Sequence, residues 1–75
     1  MSEFSRQTEI DVLETLVDRS PCHVMEIANA VDGHPITVDQ TCAHLHNDEC
    51  IRPLGRGLYE ITGEGEQRLE TQHRL

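Results

Sequence analysis

Between Cys50 and Thr62 the chain stops spacing its apolar residues as a helix does and turns to β-prone residues around glycine. Cys50-Ile51-Arg52-Pro53-Leu54 leads into Gly55-Arg56-Gly57 and then Leu58-Tyr59-Glu60-Ile61-Thr62. Two short β-prone runs joined by a glycine-rich turn predict a hairpin. Tyr59 and Ile61 then share one face, with Leu58 and Glu60 on the other. Pro53 has no amide hydrogen, so its strand must leave that side unpaired. A single hairpin in a chain otherwise patterned for helices confines the fold to a mostly helical α+β class.

The helical segments come first in the chain. Over Gln7 to Arg19, Ile10, Leu13, Leu16 and Val17 fall on one stripe, with Ser5 as a cap and Ser20-Pro21 as a stop. His23 to Val31 places Val24, Ile27, Ala28 and Val31 on one buried face, with Glu26 in the first turn. Asp32-Gly33 ends that helix, glycine being free to turn left-handed there. Pro35 suits a first helical position and opens a helix running to about Asp48. Its inner stripe is Val38, Cys42 and Leu45; its outward set is Asp39, Gln40, Ala43, His44 and Asn47. After the hairpin, Thr62 caps a last helix from Gly63 to Gln72, anchored by Leu69 and weakened by two glycines.

At 75 residues the chain is expected to be one domain, residues 1–75, with one thin core. That excludes a cleft between domains or a full nucleotide-binding sheet. No apolar run approaches the ~20 residues that cross a bilayer, and no signal-peptide pattern opens the chain, so a cytoplasmic protein is expected. Three cysteines, an odd number, argue against a disulfide framework.

Acidic residues number 14 against 6 basic ones, all arginine, for a formal net charge of −8. Two like charges ~7 Å apart in water repel by about 0.6 kcal/mol. In molar salt the screening length is only about 3 Å, which removes most of that repulsion. The composition fits a halophile's protein, and it fits an ordinary acidic domain as well.

Three helices, a hairpin and a terminal helix are the order of a winged helix-turn-helix. Helices one and two would bury the inner stripe of helix three, leaving its outer stripe as a ridge that fits a major groove. The tip Gly55-Arg56-Gly57 would fall beside that ridge. Residues 38–51 resemble the recognition helix and following strand of winged-helix transcription regulators, and residues 55–65 resemble their wing and the entry to the last helix. The similarity, over roughly residues 8 to 70, is to small haloarchaeal winged-helix proteins of the halophage-repressor-like kind. It implies sequence-specific binding of duplex DNA and repression, often as a homodimer. The family commonly has glycine where Glu49 stands and leucine where Cys42 and Cys50 stand. The outward face of helix three carries no Arg or Lys, although phosphate neutralisation normally supplies much of the affinity.

Readout would then lean on hydrogen bonds and shape. Gln40 and Asn47 suit adenine edges, and His44 can donate to a guanine acceptor. Arg52 on the wing strand and Arg56 at its tip are the phosphate candidates. The bland view makes all five solvated surface residues. A protein-binding winged helix, with its acidic surface against a basic partner, is the rival reading.

Cys42, His46 and Cys50 lie four apart, and Cys22-His23 could approach them, which leaves open a thiol- or metal-responsive regulator. Structural zinc sites prefer Cys pairs separated by two to four residues, which are missing here. Cys42 also fills a core position, where free cysteine behaves as a small hydrophobe. No metal, cofactor or small-molecule substrate is expected. His34 and His73 read as solvent-exposed. No nucleophile elbow, phosphate-cradling loop or metalloprotease motif appears, so the chain is not expected to be an enzyme.

Overall fold

A computed structural model describes residues 6–31 and 33–74, with side chains to residue 71. Ser5, Asp32 and the side chain of His73, each given a part above, lie outside the described residues. The elements follow the expected order: α1 (Arg6–Arg19), β1 (Cys22–His23), α2 (Val24–Val31), α3 (Pro35–Asn47), β2 (Ile51–Gly55), β3 (Leu58–Ile61) and α4 (Gly63–Arg74). The α+β, mostly helical class holds. The short strand β1 is an addition.

The core draws on every helix and on β1 and β2. Val12, Leu13 and Leu16 of α1 meet Ile27 and Ala28 of α2, Val38, Cys42 and Leu45 of α3, then Ile51 and Leu69. The α1 stripe is rotated from the one predicted. Val12 is fully buried, whereas Val17 is half exposed at 50%. On a helix Val12 and Leu16 are four apart and Leu13 lies between them, so this trio makes a narrower seam than one extended to Val17.

At the helix-turn-helix the Gly33 N–H closes on the Ala28 carbonyl at 3.0 Å. A Cβ there would stand 3.0 Å from a methyl of Val38 and 3.2 Å from one of Val31. Glycine at this point lets α2 and α3 approach.

The sheet order is β1-β3-β2, all antiparallel. Pro53 therefore lies on an edge strand, where its missing amide hydrogen costs nothing. Cys22 pairs with Tyr59 and His23 with Leu58, and the Val24 N–H donates to the Gly57 carbonyl at 2.9 Å. This ties the start of α2 to the turn of the hairpin. A two-residue strand carries too few residues to show alternation, which is why the sequence pattern does not reveal β1.

Candidate nucleic-acid interface

Helix α3 is fixed at both ends. At its start the His34 imidazole Nδ1 accepts from the Ile36 N–H at 3.2 Å, and Pro35 takes the position that needs no donor. His34 is exposed, as expected, yet it serves as the cap. At its end the Cys50 N–H bonds the Leu45 carbonyl at 2.8 Å and the Glu49 N–H bonds the His46 carbonyl at 2.9 Å. This is the paired closure of a Schellman motif, and it forces Glu49 to φ 63°. Glycine is the residue that meets this demand without contact of a Cβ with the backbone.

Inside, Val38, Thr41, Cys42 and Leu45 are fully buried, with the Thr41 hydroxyl donating to the Thr37 carbonyl at 2.8 Å. Opposite them Ile36, Gln40, Ala43 and Asn47 are exposed. At 100° per residue these four fall within an arc of about 60° and form the crest.

His44 lies off this crest. It is half-buried, with Nε2 3.7 Å from a Glu9 carboxylate oxygen and 3.5 Å from one of Asp48. Arg68 of α4 joins the same group, 3.0 Å from Asp48 and 3.7 Å from Glu9. The hydrogen bond to Asp48 holds the Arg68 guanidinium charged above its usual range. Four side chains from α1, α3 and α4 thus pin the orientation of α3. The structure brings Gln40 and Asn47 together on one surface and turns His44 toward this cluster.

The hairpin turns on Arg56 and Gly57, both at positive φ (56° and 80°), the signature of the tight turns that match strand twist. Gly57 cannot be replaced cheaply, because a Cβ would lie 2.7 Å from the His23 ring. Arg56 is exposed at the tip. Arg52 faces Glu60 across the strands, its Nε 3.0 Å from the carboxylate. It is 65% exposed and so keeps donors for another acceptor. The pairing of Arg52 with Glu60 follows from the register, which spacing alone does not supply. Arg52, His46, Glu49, Thr62 and Glu64 line an open groove of about 440 Å³ between the end of α3 and the hairpin base.

Cys22, Cys42 and Cys50 are free and buried. Burial, with Asp39 and Cys22 adding, pushes the Cys42 thiol up to about 12. Burial likewise raises Cys22 and Cys50. Thiols held protonated are poor nucleophiles and poor metal ligands. Among the described residues no group of three or more His, Cys, Asp or Glu side chains is placed to hold a metal ion. Among them, too, no helix is long and apolar enough to cross a membrane.

Three helices, a β-hairpin wing and a closing helix define the winged helix-turn-helix fold, and solved structures share it. BpsR of Bordetella bronchiseptica, whose DNA binding is regulated by 6-hydroxynicotinic acid, superposes with a TM-score of 0.84 at 20% identity, over 97% of this chain and 55% of that one. A MarR/EmrR family transcriptional regulator from Acinetobacter sp. ADP1 gives 0.80 at 20% identity, over 93% and 51%. The Cyprinid Herpesvirus3 ORF112-Zalpha, seen in its binding mode to Z-DNA, gives 0.74 at 13% identity, over 79% and 98%. The chain spans about half the length of the first two. No family model matches the sequence, and no curated protein matches it. Fold is what these similarities establish.

Proposed function

We propose that the chain is a sequence-specific duplex-DNA-binding transcription regulator that acts as a repressor. The observation that carries this reading is the crest of α3, four exposed residues on a helix pinned at both ends and along its flank. A rigid exposed helix beside a hairpin is the geometry that reads a major groove. The fold neighbours support it, since one is a regulator with controlled DNA binding and another binds Z-DNA.

Gln40 and Asn47 face bases, and Arg52 and Arg56 anchor the wing on the phosphate backbone. His44, turned toward Glu9 and Asp48, stays at the flank of this interface. A homodimer on a two-fold operator supplies the affinity that one small module lacks. The acidic balance suits a halophilic, archaeal cytoplasm, in keeping with the halophage-repressor-like resemblance.

Selection of random duplex DNA by the purified protein in molar potassium chloride tests this. An enriched motif, lost when Arg52→Ala and Arg56→Ala are combined, is the expected result. A folded protein that enriches nothing refutes it and favours a protein-binding winged helix, a reading that the net charge of −8 and the cation-free crest support. That module would keep its partner when both arginines are removed.

A further inference from the structure

The crest of α3 is chemically one-sided. It presents two carboxamides, Gln40 and Asn47, and two aliphatic groups, Ile36 and Ala43, and none of the four is charged. Ile36 is 63% exposed, more than Val17, Met25 or Leu54. An aliphatic side chain so open to water, on the surface proposed to meet DNA, calls for an apolar partner there.

We infer that the crest reads A·T pairs, with Gln40 and Asn47 on adenine edges and Ile36 and Ala43 against thymine methyl groups. This rests on the DNA-binding reading and names its target. A carboxamide matches adenine by accepting from N6 and donating to N7, whereas guanine is met most often by a bidentate Arg or Lys. The crest holds neither. In the major groove the thymine methyl is the apolar feature of the base edges, and aliphatic side chains pack on it. Ile36, Gln40, Ala43 and Asn47 alternate methyl-seeking and adenine-seeking groups along about 16 Å of helix.

The neighbouring groups do not shift this preference. His44 is drawn to Glu9 and Asp48. His46 lies in the groove with Arg52 and Glu49. Asp39 is exposed beside the crest, about 40° beyond Ala43 by helical spacing and on the flank opposite His44.

The test uses the full chain and the duplexes it selects. The expected motif has half-sites of about four contiguous A·T pairs, one for each crest residue. Replacing thymine by deoxyuridine, which removes only the methyl, should weaken binding about fourfold for each methyl contacted. Ile36→Ser, at an exposed position, should keep the helical circular dichroism. It should weaken binding to the thymine duplex by a similar factor and abolish the effect of uracil at one position. A G·C motif overturns the inference while leaving DNA binding in place. So does an A·T motif whose affinity is indifferent to both uracil and Ile36→Ser. Retention of no duplex by the folded protein brings down the DNA-binding reading itself, and the inference with it.

Discussion

Glu49→Gly should make the protein more stable, and the size of the gain can be worked from the backbone. Glu49 holds φ 63° because the closure of α3 demands it. A left-handed conformation costs an L-residue roughly 1–2 kcal/mol through contact of its Cβ with the backbone. Glycine escapes that cost but gives the unfolded chain about 0.4–1 kcal/mol more conformational freedom. The difference is a net gain of about 0.5–1 kcal/mol. The Glu49 N–H to His46 and the Glu49 carbonyl that accepts the Thr62 hydroxyl at 2.6 Å belong to the backbone and survive the substitution. For a domain of this size the gain should raise Tm by roughly 2–8 °C. Urea melts followed by far-ultraviolet circular dichroism would show a higher midpoint at unchanged slope. Glu49→Gln separates strain from charge, since it removes the carboxylate and keeps the Cβ. The expected order is Gly above Asn, with Gln close to the native residue. A Gln variant as stable as the Gly variant would show that charge, not backbone strain, sets the effect.

Gly65 should be equally intolerant in the other direction. A Cβ there would fall on the Cys50 carbonyl oxygen, so Gly65→Ala should cost about 1–3 kcal/mol as overpacking of helix against strand, read as a lowered urea midpoint. Stability should fall as the pH rises above about 9. The Cys42 thiol is raised from 9.0 to about 12 in the fold, so the unfolded chain loses that proton first, and the fold loses up to about 1.4 kcal/mol per pH unit between those values. Cys42→Ala should lower overall stability yet flatten that alkaline slope; an unchanged slope would refute the assignment. Glu60→Gln should release Arg52 and tighten DNA binding up to about fivefold, the scale of an exposed ion pair, measured by fluorescence anisotropy; weaker binding would mean that Glu60 orients the arginine instead.

Most of the helix and hairpin pattern was legible because burial imposes a period. Val38, Cys42 and Leu45 repeat at four and three, and only a helix puts them on one face. The hairpin was legible because its turn needs positive φ and the sequence places Gly55 and Gly57 there, on either side of Arg56. What escaped depends on partners distant in the chain. Strand β1 exists because Tyr59 and Leu58 lie alongside Cys22 and His23, a pairing across more than thirty residues. Gly65 weakens α4 by propensity, yet its missing side chain lets the helix seat against Cys50, so packing overrides propensity. The position of His44 could not be read from α3 alone. Its place on the helix wheel made it outward, and Glu9 and Arg68, from the two ends of the chain, turned that flank into a half-buried edge. The signal for Ile36 in the sequence is its four-residue spacing to Gln40, which puts both on the outward face.

The same electrostatics join stability to the proposed binding. A repressor that relies on many Lys and Arg contacts loses affinity steeply as salt rises, because releasing each counterion into a more concentrated solution gains less entropy. Here the cations that the proposal places on DNA are Arg52 and Arg56, and Arg52 is shared with Glu60. Two contacts per protomer give a slope of about −1.8 in log affinity against log salt. A tenfold rise in salt then costs a protomer about 60-fold, against roughly 10⁷-fold for eight contacts. Over the same range, screening relieves repulsion among 14 acidic groups set against 6 arginines. On the proposed reading, salt that would strip a basic regulator from DNA strengthens this fold and leaves much of the base readout in place, because hydrogen bonds and methyl contacts at the crest carry no counterions. The acidic surface and the uncharged crest of α3 are then two parts of one electrostatic solution.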